Sequence, residues 1–318
     1  MVDRFHPDKA LFPVVAILVF LLLAMFVPPL WVVVGVLAPV PLVFVYLRWG
    51  RGVGMVLLGL VFGVLLSLAG YKQAVLFFAE YAVLTAVLSE TIQFKLSFDK
   101  CILFSTLVSA ALSMVLLLFI FTDRESTLTE FFQEQIEGHF QLSMEALQAM
   151  GDKPEELRAM REFANGASGA MAQSYPSFIT IGILMTAVVN YYMVRLLWSR
   201  IYGPGLFHPA RFSKWVVPEQ VIWVLIGSGG VLFFAEGTFL GTLGVNLLSL
   251  VLVVYFLQGL AILIHFLDSR NVPVFFWILI FFVIVLQPLL IGAAVGLGIF
   301  DTWIDLRKIR TKPVEISG

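Results

Sequence analysis

The sequence predicts an all-α fold: a polytopic transmembrane helical bundle of eight to nine segments with an extracytoplasmic helical insert. Three observations carry that expectation. Of 318 residues, 60% are hydrophobic and 13% charged, whereas soluble domains run to roughly a quarter charged. The apolar residues come in long continuous runs, each near the ~20 residues a helix needs to cross a bilayer. The runs also lack the alternation of a membrane β-strand, and helices satisfy their own backbone hydrogen bonds, which lipid cannot do.

In chain order the segments fall at 10–27, 30–47, 53–69, 74–93, 101–122, 176–198, 219–236, 242–267 and 274–300. The first follows Arg4 and Lys9 and meets the second with no small-residue cleavage site between them, so it reads as an uncleaved span. Positive charge sets the orientation. Arg4, Lys9, Arg48, Arg51, Lys95, Lys100, Arg195, Arg200, Arg211 and Lys214 all fall on one side, the cytoplasm, if the N-terminus is there. The polar stretch 123–175 between the fifth and sixth spans is then outside. Nine full crossings would carry Arg307, Lys308, Arg310 and Lys312 outside; eight keep them in the cytoplasm. The weakest segment, 219–236, is interrupted by Gly227, Ser228, Gly229 and Gly230. It is expected to enter and leave from the cytoplasmic side, at the cost of putting Arg270 outside. A break at Pro288 is the other option, in a run that looks too short for two crossings. With no long linker, residues 1–318 read as a single membrane domain.

The insert reads as two helices. Thr127 and Glu130 have capping-box spacing. Leu128, Phe131, Phe132, Ile136, Phe140, Met144 and Leu147 then recur at helical spacing until Gly151 and Pro154 end the run. Leu157, Met160 and Phe163 mark a shorter second helix. Its acidic character suits an anionic lipid surface poorly, so the apolar faces belong on the mouth of the bundle or on a partner.

Several function classes drop out. A net charge of −1 offers no field for nucleic acid. One cysteine, Cys101, makes neither an internal disulfide nor a multi-cysteine metal site. There is no H-E-x-x-H, no Walker loop and no G-x-S-x-G elbow. Gly227-Ser228-Gly229, with His265 one helix on, is a poor match to an intramembrane serine protease, because Ile226 stands where a glycine is needed. The expectation is therefore no catalytic residue, no cofactor, no metal and no enzyme.

Polar side chains inside spans carry the remaining information, since each costs free energy unless paired. The candidate ligand-binding residues are Glu80, Asn190, Tyr191, Asn246, Tyr255, Gln258 and His265. Glu90 is a weaker carboxylate near the cytoplasmic end of its segment. Asn190 reads first as an interhelical hydrogen bond and the stripe Tyr255, Gln258 and His265 first as glue between helices, with a ligand contact as the alternative for each. Pro39 and Pro41 free the carbonyls of Gly35 and Leu37, and Pro288 frees that of Ile284. Two small-residue ridges, Gly59, Gly63 and Ser67, and Ser105, Ser109 and Ser113, suit helix packing or the docking of a partner; Gly292 and Gly296 make a shorter third.

The opening pattern is a span, a Pro28-Pro29 turn, Pro39-Val40-Pro41 and then Arg48-Trp49-Gly50-Arg51-Gly52 before a Gly-rich third span. The close carries Gln258-Gly259-Leu260-Ala261 and Gly298-Ile299-Phe300-Asp301-Thr302-Trp303 before Arg307-Lys308. Over nearly its whole length the chain resembles the YybS-like family of bacterial membrane proteins, which is similar in turn to the substrate-binding S components of energy-coupling-factor transporters. The resemblance implies a bacterial cytoplasmic (inner) membrane protein with a cytoplasmic N-terminus. It also implies a six-helix core that takes a small molecule from outside, with 123–175 as the outer gating loop. S components often dock their coupling subunit through an A-x-x-x-A face on the first helix. Ala10, Ala16 and Ala24 lack that spacing, and Gly59 and Gly63 are the available substitute.

Two functions follow as expectations. One is a protein that binds or transports a small molecule, in a cavity lined from the fourth, sixth and eighth segments and gated by the insert. The other is a non-catalytic envelope assembly protein. The partners expected are the lipid bilayer, a second membrane subunit or another copy of the chain, and a small-molecule ligand, with no nucleic acid.

Overall fold

The computed structural model describes residues 31–68, 70–121, 127–149, 168–169, 171–209, 211–235 and 237–309. The span expected at 10–27, the second insert helix around Leu157, Met160 and Phe163, and Arg310 and Lys312 lie outside the described residues. All regular structure among the described residues is helical. In order it is α1 (Trp31–Leu37), α2 (Pro39–Leu68), α3 (Tyr71–Phe77), a π-turn (Phe78–Ala82), α4 (Val83–Gln93), α5 (Phe98–Phe121), α6 (Leu128–Ala149), α7 (Tyr175–Tyr202), α8 (Val221–Phe234), α9 (Phe239–Ser269), α10 (Val274–Leu286) and α11 (Pro288–Ile304). The chain divides into two compact units between Pro209 and Ala210, within a stretch where composition marks no linker.

Among the described residues, four helical stretches are long and apolar enough, by length and composition, to cross a membrane: Val34–Leu68, Phe98–Phe119, Tyr175–Tyr202 and Phe239–Ser269. The bent pair Phe275–Leu286 and Pro288–Ile304 makes a fifth if taken as one span. The protein is thus a multi-pass membrane protein in contact with the bilayer.

In the first unit, α2 is not one rod. Gly50 has φ 88° and ψ 171° in its middle, a backbone that a Cβ disfavours. In a straight helix Leu42 and Leu58 would stand about 24 Å apart. Instead both join one apolar cluster with Ala82, and the Tyr46 side chain lies against Gly54. The chain therefore doubles back at Gly50, where the sequence places the turn between its second and third segments. Gly70 repeats the conformation (φ 88°, ψ 172°) between α2 and α3. Helices α4 and α5 are joined by a short turn and pack against each other, and α7 packs on both as well as on α1 and α2. Phe44, Leu84, Leu88, Ile92 and Val194 fill the centre.

The second unit is built on α9, against which α8 and α11 pack. Close approach is possible because the contacts are glycines. A Cβ on Gly259 would strike the Ala294 backbone and one on Gly298 the Tyr255 backbone, and one on Gly244 would press tightly on Ser228, Val231 and Leu232. In lipid, where tails are as apolar as leucine, such packing is what holds helices together.

Two expectations change here. The run Gly227–Gly230 does not interrupt its segment: α8 continues through it, with Ser228 buried and its backbone close to Gly244 of α9. The break lies instead at Pro288, where α10 and α11 meet at 106°. Proline has no N–H to donate and pushes its predecessor toward extended backbone. Gln287 accordingly has φ −113° and ψ 106°. The Ile284 carbonyl that Pro288 cannot serve accepts the Gln287 N–H at 3.3 Å.

Candidate functional site

A chamber of about 210 Å³ opens in the first unit where the π-turn, α5, α6 and α7 meet. The π-turn carries Glu80, and its wide ring is closed by the Val83 N–H donating to the Phe78 carbonyl. Such turns insert a residue into the helical ladder and recur at functional sites. Glu80 lines the chamber and has no hydrogen-bond or ion-pair partner among the described residues. Ser113 of α5 lines the same space; it is 4% exposed, and its hydroxyl has no partner among the described residues. Phe131 and Phe132 of α6 and Ile179 of α7 close the chamber.

Helix α6 is set over this space by its first turn. The capping box forms in both directions: the Thr127 N–H donates to Glu130 Oε2 at 2.7 Å and the Glu130 N–H to Thr127 Oγ1 at 3.2 Å. Phe132 then stacks on Tyr175, with centroids 4.8 Å apart and rings within 8° of parallel. Phe131 and Phe132, at the start of the apolar stripe read in the sequence, thus lie on the chamber, and Phe132 on the first residue of α7.

An apolar cleft of about 430 Å³ adjoins the chamber. Val75 and Leu116 belong to the walls of both. Met55, Gly59, Phe62 and Phe78 also line the cleft.

The other candidates of the first unit are engaged. Asn190 Nδ2 donates to the Val36 and Thr186 carbonyls, each at 2.7 Å. Val36 sits at the break between α1 and α2, between the two carbonyls that Pro39 and Pro41 were expected to free. Asn190 thereby ties α7 to that break. Tyr191 is 1% exposed, edge-on to Phe98 at 5.3 Å and to Phe207 at 5.5 Å. Glu90 accepts the Tyr46 hydroxyl at 2.6 Å and lies 3.5 Å from Arg51, which closes the turn at Gly50.

In the second unit, Gln258 is part of a buried lock. Its Oε1 accepts the Val217 N–H at 3.0 Å, and its Nε2 donates to Asp301 Oδ2 at 2.9 Å. The same oxygen takes Arg307 Nη2 at 2.7 Å, with both charged side chains almost fully buried. Asp301 Oδ1 accepts the Leu306 N–H, and Arg307 Nη1 donates to the Ser213 and Trp215 carbonyls. One network joins α9, the end of α11 and the loop before α8. Asn246 donates to the Thr242 carbonyl at 2.8 Å, Tyr255 is buried in a cluster with Ile222 and Val251, and His265 is half-buried beside Phe266. Ser228 donates to Leu225 of its own helix. No group of three metal-ligating side chains converges among the described residues.

Asp301 and Arg307 escaped the sequence reading as site-forming residues. Both lie in the closing motif, but six residues across a helix end is not a recognisable pairing. A cation after a last span reads as an orienting charge.

A family model described as "Predicted membrane protein (DUF2232)" matches residues 15–302. The chain belongs to that family. No curated protein and no solved structure matches it. The DUF2232 match takes in the Glu80 chamber, Asn190 and the Gln258–Asp301 pair, and it stops short of Arg307. In this DUF2232 protein the two ridges have different surroundings. Ser105 and Ser109 are buried on α5, a packing face, and Ser113, buried as well, lines the chamber. Gly59 and Gly63 have nothing within 4 Å of an added Cβ, and Ser67 is exposed, its hydroxyl bonded to the Gly63 and Val64 carbonyls at 3.0 Å.

Proposed function

We propose that this DUF2232 protein captures a small molecule in the Glu80 chamber, without chemical conversion, in the manner of a transporter S component. The observation that carries the reading is an unpaired carboxylate and an unpaired buried hydroxyl facing one cavity beneath a separately capped helix. Buried polar groups are ordinarily bonded, and in a membrane protein unspent ones mark sites. Helix α6 acts as the outer gate, and a ligand enters when it lifts from Tyr175. The resemblance to the YybS-like family and to S components supports the same reading, as does the place of α6 between the fifth and sixth segments.

The proposal includes a topology: a bacterial cytoplasmic membrane, an inside N-terminus and eight crossings. What supports an even number is the loop before α8. Arg211 lies 3.6 Å from Asp268 at the end of α9, and Arg307 bonds to the carbonyls of Ser213 and Trp215 in that loop. On this reading α10 and α11 leave and return to the cytoplasmic side, so the re-entrant element is 274–304 rather than 219–236. Arg211, Lys214, Arg270, Arg307 and Lys308 then share the cytoplasm, which meets the positive-inside rule without exception. The Tyr71–Gln93 stretch, helical for roughly 34 Å through its π-turn, is the fourth crossing.

The test is thermal unfolding of the purified protein in lipid nanodiscs against a panel of small amines, carboxylates and neutral polar compounds. At least one compound raises the midpoint saturably in the wild type and not in Glu80→Gln. A panel without any saturable, Glu80-dependent shift overturns the reading.

The open ridge Gly59, Gly63 and Ser67 favours a second reading, a scaffold for another membrane chain. Crosslinking that recovers a stoichiometric membrane partner, lost in Gly63→Leu, would select it.

A further inference from the structure

Resting on the binding role just proposed, we infer that the ligand is an amphiphile with an ammonium head, the head in the Glu80 chamber and an apolar tail in the adjoining cleft. The head follows from the donors. Glu80 offers a carboxylate with no partner among the described residues, and the buried Ser113 hydroxyl can accept an N–H. Phe131 and Phe132, set at 75° to each other, add aromatic surface of the kind that holds ammonium groups. A hard metal cation is a poor occupant, because calcium and magnesium take six or more oxygens and the lining brings one carboxylate and one hydroxyl. At about 210 Å³ the chamber is smaller than sites for drug-sized ligands, which begin near 300 Å³. It suits a head group rather than a whole ligand.

The tail follows from the cleft. It is twice as large as the chamber, at about 430 Å³, and its walls are aliphatic and aromatic. Val75 and Leu116 border both spaces, so the head and tail rooms adjoin, and the tail would pass between them at these two side chains. Gly59 keeps one wall low: an added Cβ there meets nothing within 4 Å. A water-soluble ligand has no use for such a room, whereas an alkyl chain loses nothing by moving there from lipid.

Decylamine carrying a diazirine at its far end, in nanodiscs of zwitterionic lipid, tests this, with butylamine as a head-only competitor and the matching alcohol as control. Photolabelling is expected on the cleft walls around Met55–Phe62 and Phe78–Val87. It should be competed by butylamine and fall at least tenfold in Glu80→Gln, while the alcohol labels both proteins equally. Gly59→Leu should remove the label and keep butylamine binding. Cleft labelling indifferent to Glu80→Gln overturns the inference, since the cleft would then hold any lipid tail. Glu80-dependent butylamine binding with no cleft label also overturns it, and leaves the binding role intact. Glu80-dependent binding of anionic or neutral compounds alone does the same. Absence of every Glu80-dependent ligand removes both.

Discussion

Replacing Asp301 with Asn keeps the shape of the side chain and removes the acceptor on which the second unit closes. The carboxylate receives three bonds, from Arg307 Nη2 at 2.7 Å, Gln258 Nε2 at 2.9 Å and the Leu306 N–H at 2.9 Å. All three partners are donors, so either orientation of an Asn amide turns an N–H toward another N–H. The Arg307 side chain is 0% exposed and would keep its charge with only two neutral carbonyls for company. Breaking one side of a buried ion pair costs about 3–5 kcal/mol. The expected loss for Asp301→Asn is of that order. Replacing both partners, as in Asp301→Leu with Arg307→Met, leaves no orphan charge. The double variant should therefore recover about 0.5–3 kcal/mol relative to the sum of its single changes, the range for side chains in one network. The assay is reversible unfolding in mixed micelles at rising SDS fraction, followed by tryptophan fluorescence, to which Trp215 in the lock contributes. An Asp301→Asn transition that coincides with wild type, or single losses that simply add, would refute the account of Asp301 as the keystone of this unit.

Four further outcomes are expected. Gly259→Ala and Gly298→Ala should each cost about 1–3 kcal/mol by overpacking, and Gly63→Ala, with open space around it, should cost nothing in the same unfolding assay. Asn190→Leu should cost about 0.5–1.5 kcal/mol, the net worth of the lost hydrogen bond to the part-buried Val36 carbonyl; an unchanged transition would show that α7 does not hold the α1–α2 break. Thr127→Ala removes half of the capping box and should weaken the start of α6 by about 1 kcal/mol, read as faster amide exchange over Leu128–Phe131. In a Cys101→Ser background, Lys214→Cys, Arg270→Cys and Lys308→Cys should all react with an impermeant maleimide from the same face of oriented vesicles. Labelling of Arg270→Cys from the opposite face would exclude the re-entrant α10–α11 pair.

Much of this fold was legible because membranes impose simple rules on sequence. Long apolar runs announce helices, since lipid offers the backbone no other partner. The capping box at Thr127 and Glu130 announces the start of α6 because its two bonds are local, three residues apart. The turn at Arg48–Gly52 was readable for the same reason: Gly50 and its charged neighbours are a local signal. Glycines were ambiguous. The same residue type continues a helix at Gly227–Gly230, breaks one at Gly50, and lets two helices touch at Gly259 and Gly298. Which of these applies depends on what lies opposite.

The sequence by itself determined that the chain is a helical membrane protein, where most of its helices run, and which few polar residues in them need an account. Those are properties of consecutive residues and of the solvent around them. Only tertiary structure decided what each polar residue does, because that depends on partners far along the chain. Gln258 is spent on Asp301 and Val217, Asn190 on Val36, and Glu90 on Tyr46, across separations of 41 to 154 residues. Glu80, alike in type and setting when read along the chain, is left facing a cavity with its charge unspent. A buried polar group must be paired somewhere, and it is the three-dimensional neighbourhood that supplies the partner or leaves the place for a ligand.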